Sequence, residues 1–344
     1  MSTASPGPFG KILVREVNWL GDAVLTLPAL AALARRFPQA EITVLAKPWV
    51  AGLLKGQRGV DRLLEYQAGG IYRGLRGRWD LARQLARERF DLAVLFPNSL
   101  DAALVPWLAR IPRRVGFGTD GRGVLLTDRV PPPPKARPHQ VFRYLALAQA
   151  VGAAGEPVPV LDVHPKTETA ALRLLSAEGI GADEPCLALN PGSIYGDAKR
   201  WLPERFARVA DIVAQRHGAR VLLIGSAKER EILDAVARRM QRPSVQLGGR
   251  TDLATLAGVL RRVRLLLSND TGAMHVAAAI GTPVLAVFGP TDAEATGPLG
   301  PRSRIARHPV PCSPCLLRAC PIDHRCMSVI GEEEVVAAAE ELWS

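Results

Sequence analysis

Short apolar runs, each closed by small or polar residues and followed by a helix-length stretch, recur along the chain, and this alternation admits few folds. Residues 11–17, 41–45 and 91–96 read as strands in the first half, with a strongly apolar helix over 23–37. The pattern restarts after residue 167: helices over 167–179, 203–217 and 276–280 alternate with strands at 186–189, 220–224, 263–267 and 284–288. Strands separated by helices pair in parallel, because only a long crossover returns the chain to the same end of a sheet. The expected class is therefore α/β, with two doubly wound, Rossmann-like domains in tandem. The run Pro131-Pro132-Pro133-Pro134 interrupts the first domain, and residues 152–165 form the better linker. The boundaries expected are 1–165, 166–330 and a C-terminal helix within 331–344.

At 344 residues the chain is long enough for two ordinary domains, and 48% hydrophobic with 22% charged residues excludes disorder. Residues 271–291 carry no charge, yet Gly281-Thr282-Pro283 divides them into a helix and a strand, so a membrane span is not expected. The first ten residues lack a basic region and an apolar run, which makes a cytoplasmic location the expectation. Net charge is +11 and uneven: residues 1–165 hold 22 Lys and Arg against 13 Asp and Glu, whereas the remainder holds 22 against 20. A basic first half suits a polyanion, whether nucleic acid, an anionic membrane surface or a phosphorylated substrate; solvated surface arginine is the plain alternative.

The most informative local segment is Ser268-Asn269-Asp270-Thr271-Gly272-Ala273-Met274-His275, between an apolar strand and a helix. Unpaired backbone N–H groups at a helix start bind phosphate oxygens well. Asp or Thr before a helix is ordinary capping chemistry, but Asn, Asp, Thr, Gly and His together exceed what a cap requires. Two further strand ends carry related groups: Asn190-Pro191-Gly192-Ser193 with Lys199-Arg200-Trp201, and Gly225-Ser226-Ala227-Lys228-Glu229. Ser193, Lys199, Glu229, Asp270, Thr271, Gly272 and His275 are thus candidates for one ligand crevice, and a nucleotide diphosphate is its natural occupant. Neither a Gly-x-x-x-x-Gly-Lys-Ser/Thr loop nor a Gly-x-Gly-x-x-Gly after the first strand is present, so triphosphate hydrolysis and dinucleotide redox chemistry lose support. In the first half, Asn18-Trp19-Leu20-Gly21-Asp22 ends a strand, and a carboxylate there can take a proton from an incoming hydroxyl; capping is again the plain alternative.

Cys312-x-x-Cys315, Cys320 and Cys326 cluster near the end, leaving only Cys186 elsewhere. A tetrathiolate zinc site is one reading. The spacings are tighter than in a paired zinc ribbon and His308 and His324 blur the ligand choice, so reduced structural thiols are favoured and no metal or cofactor is assigned.

Taken together, the segment 18–30, the 190–193 and 199–201 motifs, Gly225-Ser226-Ala227-Lys228, Asp270 to His275, and Val287-Phe288-Gly289-Pro290-Thr291 resemble the bacterial ADP-heptose:lipopolysaccharide heptosyltransferases over nearly the whole chain. Within that family the likeness is greatest to the type II branch, including its Cys-Ser-Pro-Cys tail. The resemblance implies a GT-B fold whose domains face a central cleft, with an ADP-heptose donor on 166–330 and a heptose–Kdo–lipid A acceptor on 1–165. It also implies an inverting transfer without a cofactor, and a final helix that returns to the first domain. By motif match Asp22 resembles the general base, Lys199 the cation behind the departing phosphate, and Asp270, Thr271, Gly272 and His275 the donor turn. Glu229 falls where a donor-contacting carboxylate is expected. Charge and placement, rather than motif, single out Arg73, Arg76, Arg78, Arg113, Arg114 and Arg122 for an anionic acceptor. Peripheral contact with the inner face of the cytoplasmic membrane fits such an acceptor. The alternatives are a type I or III heptosyltransferase, a nucleotide-sugar epimerase, or a nucleic-acid-binding module; for the last, 5% aromatic content and no interleaved stacking motif are unfavourable.

Overall fold

The computed structural model describes residues 9–67, 72, 74–134 and 139–344. They divide into two compact units, residues 1–160 and 161–344. The first carries β1 (Lys11–Arg15), β2 (Glu41–Ala46), β3 (Arg62–Glu65), β4 (Leu92–Leu95), β5 (Arg113–Phe117) and β6 (Asp128–Val130), in the order β3-β2-β1-β4-β5-β6. The second carries β7 (Cys186–Asn190), β8 (Arg220–Leu223), β9 (Ser244–Gln246), β10 (Leu265–Asn269), β11 (Val284–Val287) and β12 (Ser303–Ala306), in the order β12-β11-β10-β7-β8-β9. Every pairing is parallel.

Both sheets thus wind the same way. The chain builds outward in one direction from β1 or β7, then crosses to the other side at β4 or β10. Central strands covered by helices on both faces must be apolar throughout, which is why β4, β7, β10 and β11 are wholly buried. The loops leaving β1 and β4 diverge at the reversal, as do those leaving β7 and β10, and ligands of such sheets bind outside these strand ends.

Helices complete each core. In the second unit, helix Pro203–His217 opens with Pro at its first turn and ends on Gly218, whose φ of +61° is the left-handed cap that glycine adopts without strain. Its apolar side, Phe206, Val209, Ala210 and Val213, packs with Leu187, Leu189 and Leu223 of the sheet.

The chain joins the second unit earlier than the expected boundary at residue 165: the Leu161 N–H donates to the Ala279 carbonyl at 3.0 Å. The last helix is Glu332–Trp343. It belongs to the second unit, where Val335, Val336, Ala339 and Leu342 share one core with Trp201, Val209 and Leu285. Arg302 donates to the Leu342 carbonyl at 2.8 Å, and the His217 ring stacks on Trp343. The apolar stripe of a short helix covers one partner, and here the second sheet takes it. Among the described residues no helix is long and apolar enough to cross a membrane.

Candidate functional site

At the reversal of the second sheet, buried side chains tie neighbouring strand ends together. Asn269, the last residue of β10, is fully buried: its Nδ2 donates to the Pro191 carbonyl at 2.8 Å, and its Oδ1 accepts from the Trp201 N–H at 3.0 Å. Asn190, the last residue of β7, donates to Thr271 Oγ1 at 3.0 Å. These bonds fix the 190–193 and 199–201 loops against the start of helix Gly272–Ala279.

Asp270 follows β10 and is 6% exposed. Its Oδ2 accepts from Lys199 Nζ at 2.6 Å and from Thr291 Oγ1 at 2.7 Å. Lys199, delivered by the short turn Asp197–Lys199, also sits 4.8 Å from the Tyr195 ring centroid. Two loops and a helix start therefore meet around one buried cation. The Lys199 loop is itself braced by the cysteine-rich segment: Ala198 N–H donates to the Arg318 carbonyl at 3.0 Å, Tyr195 Oη donates to the Leu316 carbonyl at 2.7 Å, and His324 Nε2 lies 2.7 Å from the Ala198 carbonyl. The cysteines form no disulfide, and among the described residues no group of three or more His, Cys, Asp or Glu side chains is placed to hold a metal ion.

Thr271 is the N-cap of helix Gly272–Ala279, but its side chain makes no capping bond. Its hydroxyl serves the loops instead, accepting from Asn190 and lying 3.2 Å from Ser268 Oγ. Ser268 directs its own proton to the Asn269 carbonyl at 2.6 Å, so the Thr271 proton goes to Ser268. Met274 N–H turns back to the Thr271 carbonyl at 3.3 Å, while the N–H groups of Gly272 and Ala273 have no intrahelical acceptor and carry the positive end of the helix dipole. His275 stands one turn on, 6% exposed. Ser193 is buried, and its carbonyl accepts from Arg200 at 3.4 Å.

Glu229 is tied into its own turn. Its Oε2 accepts from both the N–H and the hydroxyl of Ser226, at 2.8 and 2.7 Å, closing a capping box. A Cβ on Gly192 would lie 2.2 Å from its Oε1. The carboxylate therefore braces two loops against each other, and glycine at 192 is what allows them to approach.

In the first unit, helix Leu20–Arg36 starts three residues before the expected Ala23 and takes Asp22 into its first turn, where the helix dipole favours an anion. Asp22 is half-buried, and Oδ1 accepts from Tyr144 Oη at 3.1 Å. Below it lies Glu16, fully buried, its carboxyl pushed up to about 8 by burial against the opposing bonds from Val17 N–H and Thr26. Thr26 Oγ1 is 2.7 Å from the Ala23 carbonyl and 3.1 Å from Glu16 Oε2. One hydroxyl has one proton; the shorter contact takes it, and the other is completed by a proton on Glu16. Glu16 is thus a neutral acid at pH 7.

The six arginines singled out for the acceptor separate into different roles. Arg122 is fully buried and donates to the carbonyls of Phe117 at 2.9 Å, Ser99 at 3.3 Å and Pro97; burial lowers its guanidinium to about 10. Arg114 donates to the carbonyls of Leu125, at 2.7 Å, and Ile111, and Arg113 pairs with Asp128 at 2.9 Å. These three hold β5 and the turn after it, each guanidinium engaged within the fold. Arg78 pairs with Asp101 beside a cavity of about 50 Å³ that Arg15 and Tyr66 also line. Arg76 is exposed, and Arg73 lies outside the described residues. The sequence reading missed Glu16, whose partners Val17 and Thr26 are close in sequence, and Tyr144, whose partner Asp22 is 122 residues away.

Two doubly wound units, each a six-stranded parallel sheet, make a fold of the GT-B type. Residues 78–325 match glycosyltransferase family 9 (heptosyltransferase). Lipopolysaccharide heptosyltransferase 2 of Escherichia coli K12 is 33% identical over 306 residues, covering 86% of this chain and 88% of that protein. The chain belongs to glycosyltransferase family 9. Its fold is that of the E. coli ADP-heptose lps heptosyltransferase II structure, with a TM-score of 0.82 at 28% identity over 97% and 98% of the two chains. The family 9 glycosyl transferase of Veillonella parvula superposes with a TM-score of 0.88 at 23% identity, over 99% of each chain.

Proposed function

We propose that this enzyme transfers heptose from ADP-heptose to the heptose of a heptose–Kdo–lipid A acceptor, with inversion at the anomeric carbon. The observation that carries the donor assignment is the turn after β10: an N-cap whose side chain does no capping, beside a buried Lys199–Asp270 pair at 2.6 Å. First-turn amides and Lys199 are suited to a pyrophosphate, and relatives named heptosyltransferase 2 support the choice of donor and of the second heptose.

In this reading Asp22 takes the proton of the acceptor hydroxyl as that oxygen attacks the anomeric carbon. The bond to the ADP oxygen breaks, and its charge falls on the amides of Thr271 and Gly272 and on Lys199, which exchanges part of its contact with Asp270 for phosphate. Such preorganised donors contribute about 3 kcal/mol each to transition-state stabilisation. Ser193, His275 and Glu229 shape the seat, Glu229 by holding its loop. Residues 1–160 bind the acceptor and residues 161–344 the donor. Of the arginines, Arg73, Arg76 and, in exchange for its contact with Asp101, Arg78 are offered to an anionic core. Because the acceptor is lipid-linked, the basic first unit, with Trp19 and Trp49 more than half exposed, meets the inner membrane surface peripherally.

The test is a product assay with purified ADP-heptose and acceptors of defined core length. A product one heptose heavier from heptose–Kdo–lipid A, and none from Kdo–lipid A, supports the reading. Transfer to Kdo–lipid A shows a first-heptose enzyme, and conversion of the donor without acceptor shows an epimerase.

A further inference from the structure

Tyr144 is 3% exposed, and its ring meets Phe96 edge-on at 5.4 Å in the core of the first unit. Packing alone would be served by phenylalanine, because a buried hydroxyl costs free energy unless it is bonded. Its hydroxyl has two neighbours: Gln140 Nε2 at 3.2 Å and Asp22 Oδ1 at 3.1 Å. The proton order along this row is determined. A carboxylate only accepts, so the phenol proton points to Asp22; the phenol oxygen then needs a donor, and the Gln140 amide nitrogen supplies it.

We propose that Tyr144, held by Gln140, is a positioning residue for the general base, fixing the Asp22 carboxylate in the geometry that receives the acceptor proton. This rests on the reading of Asp22 as the base. The helix Val141–Gln149, which carries Tyr144, reaches Asp22 from 122 residues away, so the contact is made only by the finished fold. Charged and titratable groups acting with Asp22 include Tyr144 from that helix and Glu16 from the end of β1, and Arg15 acts in turn on Glu16. Burial, then the Asp22 charge, raises the phenol well above its ordinary value, so it stays a donor through the working range. Glu16 is neutral at pH 7, and a base must be in its ionised form to take a proton. The bond from Tyr144 favours that ionised form, and its removal disfavours it.

The experiment measures transfer by Tyr144→Phe as a function of pH, with ADP affinity by calorimetry and thermal unfolding alongside, and Asp22→Asn in parallel. Expected are a fall in kcat of about 10- to 100-fold, an acid limb of kcat/KM displaced upward by about half to one pH unit, and unchanged ADP affinity. Gln140→Leu should displace the same limb in the same direction by less. Unaltered kcat and limb in Tyr144→Phe would overturn the proposal, as would a loss of kcat with an unmoved limb, which is the signature of packing alone. Full turnover by Asp22→Asn would instead remove the base assignment on which the proposal stands.

Discussion

Replacing Asp270 by asparagine keeps an acceptor for Thr291 but leaves Lys199 without its counter-ion, and the structure sets the scale of the result. At 2.6 Å the Coulomb attraction is about 6 kcal/mol for an effective dielectric constant of 20. Removing both groups from water costs several kcal/mol per ion, so the intact pair is close to neutral for stability. Breaking it is different, because the Lys199 and Asp270 side chains are only 13% and 7% exposed and the surviving charge cannot be fully hydrated. Asp270→Asn should therefore lower unfolding free energy by about 3 kcal/mol, and Lys199→Met by a similar amount. The double variant should recover about 2 kcal/mol relative to the sum of the two. Activity will not follow stability: Lys199→Met and the double variant should be equally poor catalysts, since both lack the cation behind the leaving phosphate. Denaturant unfolding of the four proteins, with transfer rates on the same preparations, gives the cycle. Single variants within about 0.5 kcal/mol of the parent, or strictly additive effects, would refute the argument that this pair is a buried and coupled unit.

Further expectations concern both units. Gly192→Ala places a methyl 2.2 Å from Glu229 Oε1, a carboxylate locked by two bonds to Ser226; denaturation should show a loss of about 1–3 kcal/mol, and calorimetry a weaker ADP complex. Glu16 has a carboxyl raised to about 8, so the native state holds a proton that the unfolded chain releases near its ordinary value. Its contribution to stability is complete below that ordinary value and declines as pH rises to about 8; Glu16→Gln, which retains both bonds, should flatten this decline in melting curves between pH 5 and 9. Arg122→Ala removes a buried guanidinium bonded to carbonyls of three residues and should destabilise the first unit by about 3 kcal/mol without a selective rise in acceptor KM. A selective KM effect would return Arg122 to the ligand-binding set.

Much of the architecture was legible because parallel strands buried on both faces leave continuous apolar runs. Residues 41–45, 186–189 and 203–217 were placed within one residue of the observed elements. The strand expected at 263–267 runs instead from Leu265 to Asn269. Ser268 and Asn269 look like turn residues, yet the bonds of Asn269 to Pro191 and Trp201 allow a polar side chain to be fully buried. β3 and β6, short and partly exposed at the sheet edges, left no comparable run. The turn after β10 was visible as clustered residue types, but Glu229, Arg113, Arg114 and Arg122 show the limit of that signal. A carboxylate engaged by Ser226, or a guanidinium engaged by backbone carbonyls, has the same letters as one that waits for a ligand. Tyr144 was invisible for a related reason: nothing near it in sequence announces Asp22.

The account depends most on Asp22 acting on the acceptor while ADP is held by other residues. Single-turnover transfer by Asp22→Asn, with ADP affinity measured on the same protein, separates these functions. Unchanged ADP binding with transfer slowed by at least about a hundredfold is the predicted result; transfer at close to the parent rate would contradict it.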